Sequence, residues 1–93
     1  MRTIHKYELS LKPEPVILEL PCEHRFLKVE YIISKRLISV WFEVPADVLA
    51  VKAHFSFRLF ATGDGIPDSA VYLGTAIDQY LPESYHLYRL ITE

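Results

Sequence analysis

Residues 51–61 place an apolar side chain at every odd position. Side chains on an extended strand alternate between two faces, so this pattern predicts a strand with one buried face. The predicted buried face consists of Val51, Ala53, Phe55, Phe57, Leu59 and Ala61. Phe60 alone departs from the alternation, because it is an aromatic residue among polar positions. A helix would scatter these side chains around its axis, so the pattern favours an all-β fold.

Six other segments show similar strand patterns, bounded by prolines, glycines and short polar turns. The seven predicted strands span residues 2–9, 16–20, 26–33, 37–44, 51–61, 71–77 and 85–92. Only residues 34–36 separate the third from the fourth, which predicts a hairpin. We therefore expect a small antiparallel β-sandwich or barrel, with at most one short helical turn near residues 45–49, in a single domain covering residues 1–93.

The third, fourth and seventh predicted strands carry large apolar residues on both faces. In the third strand, one face would carry Leu27, Val29, Tyr31 and Ile33, and Phe26 would lie on the opposite face. A sheet that is apolar on both faces needs a second covering layer, supplied by the same chain or by another subunit. This pattern indicates a homo-oligomer.

Charge and cysteine content narrow the function classes. The chain has ten Lys and Arg residues against twelve Asp and Glu, a formal net charge of −2. It lacks the basic cluster typical of nucleic-acid binding, so we expect no nucleic-acid partner. A single cysteine allows no internal disulfide and fits a reducing cytosol. No apolar run approaches the roughly 18 residues of a membrane span, and the first residues do not resemble a signal peptide.

The candidates for metal binding and catalysis are sparse. Four histidines occur, His5, His24, His54 and His86, and one of them lies two residues after Cys22. Zinc needs further ligands at a recognisable spacing, so we expect His24 to be exposed and Cys22 to be a small buried apolar residue. Asp64 and Asp68 lack the distal Glu of a calcium loop. No serine or cysteine lies in a known nucleophile motif. We expect no metal, no cofactor and no catalytic residue, and therefore not an enzyme.

Two groups of residues are candidates for recognition. Aromatic side chains are enriched at interfaces, which suggests contact roles for Trp41, Tyr31, Tyr80 and Tyr88. The alternative is that these rings fill the core, with Tyr80 the best interface candidate because it lies in a predicted loop. The glycine-rich turn Thr62, Gly63, Asp64 and Gly65 offers backbone amides to an anion, although the turn itself also explains these residues.

The chain resembles a family of small proteins of unknown function that tailed phages and prophages encode. The resemblance begins with the opening Met1-Arg2-Thr3-Ile4-His5-Lys6-Tyr7-Glu8-Leu9. It continues in order through residues 26–29, 40–44, 57–63, 66–67, 72–75 and 85–88. Two places differ: the family tends to have Gly-Thr-Gly-His where residues 61–64 read Ala-Thr-Gly-Asp, and residues 89–93 continue past its usual end.

The resemblance implies a phage origin and action in the bacterial host cytoplasm. It transfers no catalytic residue. We expect an accessory protein that acts by contact with a host or phage protein, and a host-defence protein such as a CRISPR component is one such target. The alternatives are a binder of a small anion or nucleotide, and a structural component of the virion.

Overall fold

A computed structural model describes residues 1–91 and shows seven antiparallel strands. The strands are β1 (Arg2–Ser10), β2 (Val16–Pro21), β3 (Arg25–Ile32), β4 (Leu37–Pro45), β5 (Lys52–Ala61), β6 (Val71–Asp78) and β7 (Glu83–Leu90). The predicted all-β class and the strand positions are confirmed. The seventh strand begins two residues earlier than predicted and ends at Leu90, and Thr92 lies outside the described residues.

The strands form two sheets that pack face to face as a sandwich. One sheet has three strands in the order β1-β4-β3, and the other has four in the order β2-β5-β7-β6. The predicted β3–β4 hairpin is present. Its turn contains no glycine, and Arg36 adopts the left-handed conformation with φ 52°.

The core lies between the sheets and is made by alternate residues of the strands. Its buried members are Leu9, Leu20, Val29, Ile38, Val40, Phe42, Val44, Phe57, Leu59, Ala76 and Leu87. Half-buried apolar residues, Tyr31 and Phe55 among them, pack against this cluster. The two-residue alternation therefore sorted most side chains correctly.

The prediction for β3 was wrong at its start, because a β-bulge interrupts the pairing. The register with β4 shifts between Phe26 and Lys28. A bulge inserts one extra residue and reverses the faces before it. Phe26 therefore packs against the core together with Val29, whereas Leu27 is not a member of the core cluster. Ile33, predicted to share a strand face with Val29 and Tyr31, lies in the exposed turn after the strand.

The prediction for β5 was wrong at both ends. Val51 and Ala61 are exposed, and the strand begins only at Lys52. Phe60 is fully buried yet is not part of the core between the sheets. Residues 45–49 contain no helical turn. Within residues 1–91 there is no helix, and so none that could cross a membrane.

The connection from β5 to β6 joins two strands that are not neighbours in the sheet. Both strands pair antiparallel with β7, so they run parallel to each other. Residues 62–70 must therefore return along the whole sheet. Phe60 lies on the outer face of this sheet, where the Arg58 guanidinium and the Tyr88 ring pack against it.

Candidate interaction site

A cleft of about 300 Å³ opens where the ends of β3 and β6 meet. Its lining residues are Glu30, Tyr31, Ile33, Ile77, Asp78, Gln79 and Tyr80. We call it the Tyr31–Tyr80 cleft. It brings together two of the four aromatic residues that the sequence suggested for recognition, although they are 49 positions apart in the chain (80 − 31). Ile33, Ile77 and Tyr80 are exposed there.

A buried carboxylate holds the loop that carries Tyr80. Asp78 is only 4% exposed, and its Oδ1 accepts hydrogen bonds from the backbone N–H groups of Tyr80 at 3.0 Å and Leu81 at 3.2 Å. A buried carboxylate needs such partners, since it has lost its hydration. Tyr80 itself remains 80% exposed. The loop therefore presents an apolar ring to solvent from a backbone that is hydrogen-bonded in place.

The inner wall of the cleft rests on a stacked tyrosine pair. The rings of Tyr31 and Tyr85 lie 5.9 Å apart, nearly parallel. The Tyr85 hydroxyl donates a hydrogen bond to Glu83 at 2.8 Å. This hydrogen bond, with burial and nearby negative charge, raises the pKa of Tyr85 to about 12. Tyr31 therefore packs on the core and also lines the cleft, and its contact role stays a prediction.

The other two aromatic candidates lie on separate surfaces. Trp41 is half-buried on the outer face of the three-stranded sheet, with Lys6 and Lys28 at the paired positions on either side. It is not a member of the core cluster. Tyr88 lies on the outer face of the four-stranded sheet, where its ring contacts Phe60 and Tyr72 with centroids 5.4 and 5.3 Å away. The four residues therefore do not form one surface.

The outer face of the four-stranded sheet also carries a chain of polar contacts. His86 lies 2.9 Å from the hydroxyls of both Thr62 and Thr75, and Thr75 lies 2.7 Å from the hydroxyl of Tyr72. The Arg58 guanidinium covers the Phe60 ring at 4.4 Å. These contacts join the end of β5 to β7 and β6 on the outer face of the sheet.

The glycine-rich turn is occupied by its own hydrogen bonds. The Asp64 carboxylate accepts a bond from the backbone N–H of Ala61 at 2.9 Å, and the Asp64 N–H donates to the Ala61 carbonyl at 3.1 Å. Gly63 has φ +96°, which explains its presence, and Gly65 has no such requirement. Thr62 contacts His86, as described above. Thr62 and Asp64 thus have partners within the chain.

The histidines do not come together. Within the described part of the chain, no three His, Cys, Asp or Glu side chains are placed to hold a metal ion. His54 lies 3.5 Å from Glu19 across the β2–β5 pair. Two expectations were wrong: Cys22 is exposed, and His24 is half-buried against the Phe42 and Phe55 rings.

Sequence reasoning missed an apolar tip at the opposite end of the sandwich. Val48 and Leu49, in the β4–β5 connection, are 87% and 85% exposed. The Asp47 carboxylate accepts a bond from the Leu49 N–H at 2.9 Å, and the Asp47 carbonyl accepts one from the Ala50 N–H at 3.1 Å. Asp followed by two aliphatic residues outside a strand was the available signal, since Asp readily closes such turns.

The fold and these surfaces define a small all-β sandwich that displays apolar side chains on hydrogen-bonded loops. The chain belongs to the DUF7352 family, a domain of unknown function whose family model matches residues 1–93. Membership of a family of unknown function agrees with the resemblance described from the sequence. No curated protein and no solved structure matches the chain significantly.

Proposed function

We propose that this protein acts without catalysis, by binding another protein through the Tyr31–Tyr80 cleft. The observation that carries the proposal is Tyr80, whose ring is exposed and whose backbone N–H is hydrogen-bonded to Asp78. Aromatic anchors of this kind contribute much of the energy at protein interfaces, and little ordering entropy is lost when the loop is already fixed. Ile33 and Ile77 extend the apolar surface beside it.

We further propose that the protein is a phage-encoded accessory protein of the bacterial host cytoplasm. The ordered set of sequence segments shared with the phage and prophage family supports this origin. The partner is then a host or phage protein, with a host-defence protein as one candidate. A second copy of the chain is another candidate to occupy the same cleft.

Two aliphatic residues of matched exposure provide the test. Ile77 lines the cleft and is 62% exposed, whereas Ile17 lies on the outer face of β2 and is 67% exposed. Replacing either with Asp adds the same charge to the surface, and both changes should alter stability by less than about 0.5 kcal/mol. Tagged wild-type protein, Ile77→Asp and Ile17→Asp would be purified from infected bacteria and the recovered proteins compared by mass spectrometry.

The proposal expects a defined partner with wild type and Ile17→Asp, and its loss with Ile77→Asp. Analytical ultracentrifugation of the same variants reports whether a second copy is that partner. Equal recovery with both variants, or purely monomeric protein without any partner, would contradict the proposed use of this cleft.

A further inference from the structure

Arg89 is a charged residue on the inner face of the four-stranded sheet. It lies two positions after the fully buried Leu87 and pairs with the buried Phe57 of β5. Its guanidinium carbon is 4.9 Å from the centre of the Phe55 ring. Among residues 1–91 its side chain makes no ion pair and no hydrogen bond within the chain. In the described residues its guanidinium nitrogens are not buried without a partner, so they remain accessible to an anion that enters from solvent.

Two further basic side chains lie at the same end of the sandwich. Arg25 has Glu43 as its paired position on β4, but Glu43 binds Arg2 at 3.0 Å. Arg25 is therefore left without an ion pair in the described residues. The Nδ1 of His24 is 2.8 Å from the Pro21 carbonyl oxygen. A carbonyl can only accept, so Nδ1 carries the hydrogen and Nε2 is the free ring nitrogen.

These three residues share one cleft between the sheets, with a volume of about 240 Å³. Basic and aromatic residues make up most of its lining: His24, Arg25, Arg89, Phe26, Phe42 and Phe57. No acidic side chain lines it. Phe42 and Phe57 belong to the core, so the cleft combines an aromatic floor with cationic groups. An apolar cavity of roughly 150 Å³ accepts benzene, so an aromatic ring of that size fits here.

We propose that this cleft, the Arg25–Arg89 cleft, binds a carboxylate attached to a small aromatic or apolar group. The guanidinium groups would bind the carboxylate, for which their planar geometry is suited, and the phenylalanine rings would cover the apolar body. The ligand is either a free small acid or the C-terminus of a peptide that ends in an apolar residue. The site is separate from the Tyr31–Tyr80 cleft and does not depend on the function proposed there.

Phenylacetate is the probe, and phenylacetamide is its uncharged control of the same shape. In an amide-detected NMR titration of the full chain, phenylacetate should shift the resonances of residues 24–26 and 89, and phenylacetamide at equal concentration should not. Losing one charge-assisted hydrogen bond should weaken binding about tenfold in Arg89→Gln and in Arg25→Gln. Arg36→Gln, in the exposed β3–β4 turn, should bind as wild type does.

A peptide ending in Phe, with a free or an amidated C-terminus, distinguishes the two sources. Tenfold tighter binding of the free peptide than of phenylacetate would assign the site to chain termini, and equal or weaker binding would assign it to small acids. Three results would overturn the proposal: phenylacetamide binds as tightly as phenylacetate, Arg25→Gln binds phenylacetate as tightly as wild type does, or neither phenylacetate nor the free peptide shifts any resonance. Arg25 is exposed, so this variant decides the question even if Arg89→Gln fails to fold.

Discussion

Gly74→Ala tests a close approach between the two sheets. Gly74 lies in β6 just after a bulge, facing β3. An alanine Cβ at this position would lie 3.0 Å from Val29 Cγ1 and 3.1 Å from Phe26 Cζ. Two carbons attract best at roughly 3.5–4.0 Å, so both neighbours would have to move by several tenths of an ångström. Val29 is buried and β-branched, with little rotamer freedom to do so.

The expected cost follows from two opposing effects. Overpacking a core costs about 1–3 kcal/mol, and replacing Gly with Ala recovers about 0.4–1 kcal/mol by restricting the unfolded chain. We expect Gly74→Ala to lower the free energy of unfolding by about 1–2 kcal/mol. Gly65→Ala is the matched control, because its Cβ would meet nothing within 4 Å and its φ lies outside the left-handed region. That variant should gain about 0.4–1 kcal/mol.

Urea unfolding followed by circular dichroism measures both variants, and the slope with denaturant should remain unchanged. Each kcal/mol corresponds to about 4–8 °C in melting temperature for a chain of this size. In a Val29→Ala background the cost of Gly74→Ala should shrink, because the nearest methyl group is gone. If Gly74→Ala proved as stable as Gly65→Ala, the close packing of β6 on β3 would be refuted.

Three further predictions concern single side chains: Phe60, Asp78 and Tyr85. Phe60→Ala should cost about 3–5 kcal/mol in urea unfolding, as for a core aromatic residue, and a cost below about 0.5 kcal/mol would show that the ring is exposed. Asp78→Ala should cost about 1–3 kcal/mol because two loop N–H groups lose their acceptor, and Asp78→Asn, which keeps an oxygen, should recover most of it; equal losses would contradict this role. The pKa of Tyr85 is raised from 10.0 to about 12, so the unfolded chain loses this proton first as pH rises. The stabilisation that protonated Tyr85 gives the folded chain is therefore complete below about pH 10 and lost between about pH 10 and 12. Tyr85→Phe should abolish this pH dependence of the free energy of unfolding. Unchanged alkaline behaviour in Tyr85→Phe would contradict the assignment.

The candidate sites were only partly accessible to sequence reasoning. The sequence predicted Tyr80 as an interface candidate because it is an aromatic residue in a predicted loop. The hydrogen bonds from this loop to Asp78 were not predicted, because nothing in the local sequence shows that a carboxylate at a strand end will be buried. Arg89 shares the alternating pattern with Leu87, yet only the neighbouring sheet reveals that Arg25 and His24 face the same cleft.

The sequence by itself determined that the chain is all-β and where its strands lie, because the two-residue alternation of side chains is a local property of extended backbone. The bulges at Leu27 and Leu73 were decided by tertiary packing, since an inserted residue changes the face without changing composition. The same holds for Phe60, which is buried although it lies on the outer face, where Arg58 and Tyr88 pack against its ring. Strand order and both clefts depend on contacts between residues far apart in the chain, so only the folded structure could bring them together.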